Sequence, residues 1–404
     1  MGLTRADGSA ARFRPAAALF LGASSMFANM YATQAILPQI EHGLHVSPAA
    51  AGLTITVVVA GVAIGGWVHG PLSDRVGRAR VMVASAALLV VPTALVGAAP
   101  NLPAMLALRT LQGLLMPGLL VVAVPYVTER FTGRLAGAAM GAYTSSLVFG
   151  GFVGRVGTAV LADLIGWRWA LTLLAIPTAA GALMMWRWLP RDTPSPVRRT
   201  LAGVAASHLR NSRLLVNAAC VSTVFFGFVG IFTYATYRLT SPAIGLTLTE
   251  AGLVYTVWLV GIAVPAVGHL AEGRGPQRVL PVLISLSLAG CLLTLVDSLP
   301  VIVLGLGMMA FAMFTSVTAC QLLIPRLVDH HRGTATSLHL TIYYLGGGLG
   351  AYIPGLWLAD GWSRVVAVCA AAITAGLGAS FVLRSWVSSA LSESSPRRAG
   401  RRTA

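Results

Sequence analysis

The stretch GPLSDRVGRAR, Gly70 to Arg80, separates two long apolar blocks, residues 50–69 and 81–99. It combines two glycines, one aspartate and three arginines, so we expect a tight turn between two helices. Gly70 and Gly77 would permit close backbone approach and a positive φ. Asp74 could accept hydrogen bonds from a helix N-terminus or pair with a neighbouring arginine. The arginines alone could also do no more than set the orientation of a membrane protein.

Apolar blocks of this kind recur along the whole chain. Of the 404 residues, 56% are apolar and only 10% are charged, whereas a soluble protein has about 25% charged residues. A helix needs about 20 apolar residues to cross the hydrocarbon core, and only helices or closed barrels satisfy backbone polar groups in lipid. The pattern predicts an all-α membrane protein with twelve transmembrane helices, at residues 16–39, 50–69, 81–99, 103–127, 135–161, 168–189, 214–238, 250–269, 279–297, 300–325, 334–358 and 364–386.

The net charge of +16 comes from 28 arginines and no lysine. Twenty-three of the arginines fall on one side of the predicted topology, three (Arg168, Arg238 and Arg364) lie near the opposite helix ends, and Arg109 and Arg155 lie inside helices. This is the positive-inside pattern, which places both termini in the cytoplasm of a multi-pass protein of the cell (inner) membrane. A nucleic-acid-binding protein would concentrate its charge on one face, so we expect no nucleic-acid partner.

The second half of the chain repeats the first. One set of matches has an offset of 196, and pairs Gly137, Gly150, Gly151 and Gly154 with Gly333, Gly346, Gly347 and Gly350. A second set has an offset of 198, and pairs Gly70, Asp74, Gly77 and Arg80 with Gly268, Glu272, Gly275 and Arg278. We therefore expect two pseudo-symmetric six-helix bundles, residues 1–189 and 214–388, with a cytoplasmic linker at 190–213 and a cytoplasmic tail at 389–404. Two such halves with a site between them are the layout of rocking transporters.

Gly70 to Arg80 resembles the helix 2–3 signature of the major facilitator superfamily, and departs from it only in having Ala79 before Arg80. LALRTLQG in the fourth block resembles a second motif of that family, with Arg109 and Gly113 at its arginine and glycine. GAYTSSLVFGGFVGR in the fifth block resembles an antiporter-associated motif, although it lacks the usual proline. With YATQAILPQI in the first block and GWRW after the fifth, the whole chain is similar to the YnfM/AraJ-type drug and sugar efflux branch.

The resemblance implies roles for individual residues. The loop aspartate of the family helps to latch the two halves in the outward-facing state, which implies a conformational latch made of Gly70, Asp74, Arg75, Gly77, Arg78, Glu272 and Arg278. The first, fourth, seventh and tenth helices of the family line a central cavity. Residues assigned to that cavity or to coupling are Asn29, Thr33, Arg109, Gln112, Arg155, Tyr234, Thr318, Gln321 and His339. The antiporter-like glycines are Gly141, Gly150, Gly151 and Gly154.

The predicted interior has arginines but no acids. All twelve acidic residues lie at helix ends or in loops, so a proton would have to be carried by His339, or by Asp74 or Glu129 at the inner mouth, or coupling would be absent. A charge at mid-membrane costs at least about 2.5–3.5 kcal/mol and marks a functional candidate. Arg109 could modulate a proton site or meet an anionic substrate group. Arg155 could do likewise, or snorkel or pair with an acid at a helix end, Glu41 or Asp163.

These features favour a secondary transporter that exports small organic molecules, drug-like or metabolite, with proton antiport as one option. An uncoupled facilitator or importer is the first alternative, and a transporter-like membrane sensor is the second. An ATP-driven pump is excluded because the chain has no GxxxxGK[ST] loop. No carboxylate, cysteine or histidine cluster stands at catalytic spacing, so we do not expect an enzyme. We expect no metal, no cofactor other than the proton gradient, a small-molecule substrate and the lipid bilayer as partners, and a monomer.

Overall fold

The computed structural model describes residues 6–192, 207–263, 275–328 and 330–394. Within these ranges the chain forms twelve helices and no β-strand. The helices are α1 Ala6–Tyr31, α2 Pro48–Val76, α3 Arg78–Val96, α4 Leu102–Arg130, α5 Gly133–Ile165, α6 Trp167–Trp188, α7 Ser212–Leu239, α8 Leu248–Ala263, α9 Pro276–Leu293, α10 Leu299–Leu327, α11 Arg332–Tyr352 and α12 Trp362–Ser394. A 3₁₀ turn at Gln34–Ile36 joins α1 to a short helix, Leu37–Leu44, and Ile353–Asp360 follows α11.

The twelve-helix prediction is confirmed. In the described part of the chain nine of these helices, α2 to α7, α9, α10 and α12, are long and apolar enough to cross a membrane. Many of their apolar side chains remain exposed in the folded chain, among them Leu88, Ile176 and Leu304. Such side chains on the outside of a large bundle suit a protein whose surroundings are lipid.

The stretch Gly70–Arg80 is helical almost throughout, and the expected tight turn is confined to one residue. Only Gly77 separates α2 from α3, and its φ of +108° is one that residues with a side chain rarely adopt. Gly275, before α9, has the same kind of backbone with φ of +85°. Gly70 lies inside α2, because the helix continues until Gly77 supplies the conformation that ends it. Open space surrounds Gly70, so no close approach of another backbone requires a glycine there.

Helices α1 and α5 pack together in the same way as α7 and α11. A Cβ on Gly150 or Gly154 would overlap the backbone of α1 at Ser24 or Ala28. A Cβ on Gly346 or Gly350 would overlap α7 at positions 222 or 226. Small residues let helix backbones approach closely, so the glycines repeated in the sequence fix the same helix pair in α1–α6 and in α7–α12.

The two helix sets, α1–α6 and α7–α12, meet along their length. The Asp163 end of the bundle, where α5 ends, has a hydrogen bond of 2.6 Å from the Thr249 hydroxyl to Asp163. Further along the interface, Thr56 donates to the Gly348 carbonyl at 2.7 Å, and the Trp67 indole donates to Thr341 at 2.8 Å. The opposite end of the bundle carries Asp74 and is called here the Asp74 end. Among the described membrane-spanning residues, the bond between Trp67 and Thr341 is the hydrogen bond between the sets that lies nearest to it.

Candidate functional site between the helix sets

Arg109 of α4 is buried with 1% of its surface exposed, and its hydrogen bonds within the described part of the chain all go to oxygens of its own set, α1–α6. Its Nε donates to the Thr54 carbonyl at 2.9 Å, and its Nη1 donates to the Asn29 carbonyl at 2.7 Å and to Gln112 Oε1 at 2.9 Å. Its Nη2 donates to the Met30 carbonyl at 3.0 Å and makes a longer contact of 3.5 Å with the Thr33 hydroxyl. A guanidinium has five N–H donors, so every nitrogen of Arg109 is committed to protein oxygens.

A polar network extends from Arg109 through the α1–α6 set. Gln112 donates to the Thr93 hydroxyl at 3.0 Å, and Thr93 donates to Asn29 Oδ1 at 3.0 Å. Asn29 in turn donates to the Thr178 hydroxyl at 2.9 Å. The network thus connects α1, α2, α3, α4 and α6. Three predicted cavity residues, Asn29, Arg109 and Gln112, form hydrogen bonds between these helices.

Arg155 of α5 is also fully buried, with 0% exposed, but it lies where the two helix sets meet. Its Nε donates to Gln34 Oε1 at 2.7 Å, and its Nη1 donates to the carbonyl of Gly151 at 2.8 Å. Gln34 continues across the interface with a hydrogen bond of 3.0 Å to Thr233 of α7. Full burial excludes snorkelling, and Arg155 does not pair with Glu41 or Asp163, because among the described residues neither carboxylate contacts it.

Three aromatic rings surround the Arg155 guanidinium and form what we call the Arg155 cage: Tyr31, Tyr255 and Trp258. The guanidinium carbon is 4.2 Å from the ring centroid of Tyr31 and 4.0 Å from that of Trp258, with Tyr255 at 5.8 Å. Cations are attracted to the faces of aromatic rings, most strongly to tryptophan. Tyr31 belongs to α1 and the other two rings to α8, so the cage is built from both helix sets.

Trp258 is the centre of a larger aromatic cluster. Its ring lies 4.9 Å from that of Phe314, 5.4 Å from Tyr31 and 5.6 Å from Phe228, centroid to centroid. Gly151 makes room for it, since a Cβ there would lie 2.7 Å from the indole nitrogen. The antiporter-like glycines therefore have different surroundings: Gly150 and Gly154 hold α5 against α1, Gly151 admits Trp258, and Gly141 has open space around it.

Two buried donors in this cluster lack acceptors. Within the described part of the chain, Arg155 Nη2 and Trp258 Nε1 have no hydrogen-bond partner, although both side chains are almost completely buried. A buried polar group without a partner costs about 1–3 kcal/mol, and more when it is charged. Natural proteins satisfy nearly all such groups, so two unpartnered donors in one cluster call for an explanation, and an ordered water or a ligand can supply the missing acceptor.

The predicted latch residues of the first copy lie together at the Asp74 end. Arg78 forms ion pairs with Asp74 at 3.3 Å and with Glu129 at 2.6 Å, while Arg75 is exposed. Asp192, which the sequence analysis did not assign, accepts backbone hydrogen bonds from Arg78 at 2.5 Å and Ala79 at 3.0 Å, and so caps the N-terminus of α3. In the second copy, Arg278 is exposed at the start of α9, and Glu272 lies outside the described residues.

The remaining predicted site residues do not join the Arg155 cage. Tyr234 donates to the Ala351 carbonyl at 2.7 Å, and Thr318 donates to Phe314 of its own helix at 3.1 Å. His339 is buried beside Asn217, at a long distance of 3.5 Å, and Gln321 is exposed. Thr318 and His339 therefore pack within α7–α12 and Gln321 lies on its surface, whereas the Tyr234 hydroxyl also lies against Gly52 of α2.

Three cage residues, Tyr31, Tyr255 and Trp258, were not assigned to the site from the sequence. The cavity assignment followed the first, fourth, seventh and tenth helices, and so it passed over Tyr255 and Trp258 of α8; on α1 it took the polar Asn29 and Thr33 and not Tyr31. A usable signal was present, since Tyr255 and Trp258 are three residues apart and so can share a helix face, as can Tyr31 and Gln34. A buried arginine that lacks an acidic partner is a reason to search for such aromatic pairs.

Comparison with known proteins identifies the family. The sequence profile of the Major Facilitator Superfamily matches residues 19–351 and 227–403. The inner membrane transport protein YnfM of Escherichia coli is 30% identical over 361 residues, covering 87% of this chain and 86% of that protein. The uncharacterized MFS-type transporter YybF of Bacillus subtilis is 28% identical over 359 residues, covering 86% of this chain and 88% of its own.

Solved structures share the fold at low sequence identity. A bacterial homologue of the human lysosomal transporter Spinster, in an inward-facing and occupied conformation, has a TM-score of 0.67 at 16% identity, and covers 93% of this chain and 94% of its own. A D-xylose–proton symporter has a TM-score of 0.66 at 16% identity, covering 92% and 97%. The profile match and the relatives indicate transport and not enzymatic chemistry, and the chain is a membrane transporter of the major facilitator superfamily.

Proposed function

We propose that this protein exports small organic molecules across the cell (inner) membrane by alternating access. The sets α1–α6 and α7–α12 are the two moving bodies in this proposal, and the substrate lies between them at the Arg155 cage. The observation that carries the proposal is the cage itself, since a buried cation with an unpartnered donor stands among aromatic rings from both sets. Sites between two such halves are where rocking transporters bind their substrates.

The distribution of contacts between the sets supports alternating access. The hydrogen bonds that join them run from Thr249–Asp163 to Trp67–Thr341, and Asp74 pairs with Arg78 of its own loop. We take these contacts as a state in which the two sets are closed against each other at the Asp163 end. The arginine bias of the sequence supports a cytoplasmic Asp74 end, and YnfM is named as an inner membrane protein.

Proton coupling is the part of the proposal with the least structural support. Arg109 and Arg155 have no acidic partner among the described residues, and every acid of the sequence lies at a helix end or in a loop. His339 lies beside Asn217, away from the cage. This absence of an embedded acid favours a second candidate function, a facilitator that moves the same solutes without protons.

Transport by purified protein in liposomes tests both candidates. The liposomes contain a pH-sensitive dye and are supplied with cationic, neutral and anionic aromatic solutes. Solute flux with opposite proton movement supports antiport, and flux without proton movement supports the facilitator. No flux of any solute through folded protein contradicts both. Export in cells is expected to appear as lower accumulation of a transported solute in cells that express the protein than in cells that do not.

A further inference from the structure

We infer that the substrate is an aromatic organic acid, whose carboxylate binds Arg155 and the Trp258 indole N–H while its ring packs against the surrounding aromatic side chains. This inference rests on the proposed function, because it specifies what the site between the helix sets recognises. It goes beyond transport as such, and commits to the charge, size and shape of the solute. Four observations, on charge, donors, walls and access, carry it.

The first observation is an uncompensated positive charge. Arg155 is 0% exposed, and no carboxylate in the described part of the chain forms an ion pair with it. A buried ion is costly unless it is paired and hydrogen-bonded. Aromatic rings compensate only part of that cost, since a desolvated cation–π contact contributes about 2 kcal/mol. One negative charge on a ligand would neutralise the site, whereas a phosphate would bring up to two against one arginine.

The second observation is the pair of unused donors. Arg155 Nη2 and Trp258 Nε1 both lack acceptors, and the guanidinium lies over the indole ring at 4.0 Å. A carboxylate has two oxygens that accept hydrogen bonds and carries no donor, so it can satisfy both groups at once. An amide offers one acceptor oxygen and no negative charge, whereas an amidinium would direct N–H groups toward these donors and add a second positive charge.

The third observation is the character of the walls. Trp258 contacts the rings of Tyr31, Phe228 and Phe314 at centroid distances of 4.9 to 5.6 Å. Aromatic groups at these distances favour offset or edge-to-face contacts with another ring. A carboxylate attached directly to a ring system would therefore place its charge at Arg155 and its apolar body among these side chains.

The fourth observation concerns access. Arg155 belongs to α5 and Trp258 belongs to α8, so the two donors lie on different helix sets. A rocking movement that separates α5 from α8 would part the stacked pair and open the space between guanidinium and indole to a ligand. The cage that is closed in this structure is thus the collapsed form of the binding site, with the rings of the protein in the place of the ligand ring.

Binding of a matched set of probes to the purified full chain tests the inference. The probes are 2-naphthoate, 2-naphthamide and 2-naphthamidine, which share one ring system and differ in charge. We expect 2-naphthoate to raise the unfolding temperature and to be transported in liposomes, and the amide and amidine to bind at least about tenfold more weakly, as expected for loss of a charge-assisted hydrogen bond.

Two substitutions locate the binding. Arg155→Lys keeps the charge but loses the planar fork, and is expected to weaken 2-naphthoate binding about tenfold or more. Trp258→Phe keeps an aromatic wall but removes the N–H, with a smaller loss expected. Arg168→Lys and Trp167→Phe are the matched controls, because the Arg168 guanidinium lies 4.4 Å from the Trp167 ring at the Asp163 end of the bundle; both should bind 2-naphthoate like the unsubstituted protein.

The possible outcomes separate the inference from the proposed function. Equal binding of the three probes, absence of 2-naphthoate binding, or unchanged binding in Arg155→Lys would overturn the inference. Transport of only neutral or cationic solutes would overturn it and leave export in place. Arg155-dependent binding of 2-naphthoate without transport of any solute would support the recognition of an organic acid and contradict the proposed function.

Discussion

Two arginines buried in adjacent transmembrane helices, Arg109 in α4 and Arg155 in α5, have opposite surroundings. All three guanidinium nitrogens of Arg109 donate to oxygens of α1, α2 and α4. Arg155 has an unpartnered Nη2 and is enclosed by rings from both helix sets. A saturated cation holds one bundle together, whereas an unsaturated cation between two bundles is available to a ligand. Depth and charge alone therefore do not reveal the role of a buried arginine.

Arg109→Met should have the largest effect, because it breaks the saturated side of the comparison. The substitution removes the hydrogen bonds from the guanidinium to the carbonyls of Thr54, Asn29 and Met30, and a hydrogen bond to a charged group contributes about 1.5–3 kcal/mol. We expect a large fall in the unfolding temperature and complete loss of transport, measured on the same purified sample. Normal transport at an unchanged unfolding temperature would contradict the structural role.

Arg155→Met should abolish transport without that loss of stability. The substitution removes a buried charge that no acid among the described residues neutralises, and such a charge is costly to bury. This gain offsets the loss of the hydrogen bonds to Gln34 and Gly151, so we expect the amount of folded protein in the membrane to equal that of the unsubstituted chain. Solute flux in liposomes, normalised to folded protein, is the measurement. Retention of flux would show that the cage is not the site, and failure to fold would show that Arg155 resembles Arg109 after all.

Gly151→Ala should give an intermediate effect by disturbing only the tryptophan side of the cage. The added Cβ would lie 2.7 Å from Trp258 Nε1, so the indole has to shift and its stacking on Arg155 changes. We expect the solute flux to fall about tenfold, which corresponds to an increase of roughly 1.4 kcal/mol in the free-energy barrier to transport. Gly157→Ala on the same helix is the control, since its Cβ would be in ordinary contact at 3.9 Å from Val153. Equal flux in the two variants would rule out this role for Gly151.

Asp192→Ala should have the smallest effect, because it removes a polar contact outside both arginine sites. It removes the carboxylate that caps α3 at Arg78 and Ala79, and loss of such a cap costs about 1 kcal/mol. Chemical denaturation should detect that decrease, with 2-naphthoate binding unchanged. Asp192→Asn, which keeps one acceptor oxygen, is expected to lose less, and an equal loss in both variants would mean that the carboxylate does not act as a cap.

The sequence predicted the features that depend on local pattern. Apolar blocks of membrane-spanning length gave twelve helices, and glycines repeated at an offset of 196 mark the contacts of α5 with α1 and of α11 with α7. Arg109 and Arg155 were recognised as unusual because each is a charged residue inside an apolar block. The latch stretch is the partial exception, since the tight turn predicted for Gly70–Arg80 is confined to Gly77, where the first helix ends.

The sequence could not predict which distant groups a side chain meets. Gln34 and Arg155 are 121 residues apart, and Asp192 caps a helix that begins more than a hundred residues earlier. Such pairings depend on helix rotation and on small packing distances, and these are set by the whole bundle and not by a local motif. The difference between Arg109 and Arg155 is of this kind, because both have the same local character of one arginine among apolar residues.

The unfolding temperature of Arg155→Met, with and without 2-naphthoate, tests the contrast between the two arginines most directly. The account predicts an unfolding temperature, without ligand, equal to or above that of the unsubstituted protein, and no increase when 2-naphthoate is added, whereas the unsubstituted protein is stabilised by it. An unfolding temperature lowered as far as in Arg109→Met, or stabilisation by 2-naphthoate that survives the loss of the guanidinium, would contradict it.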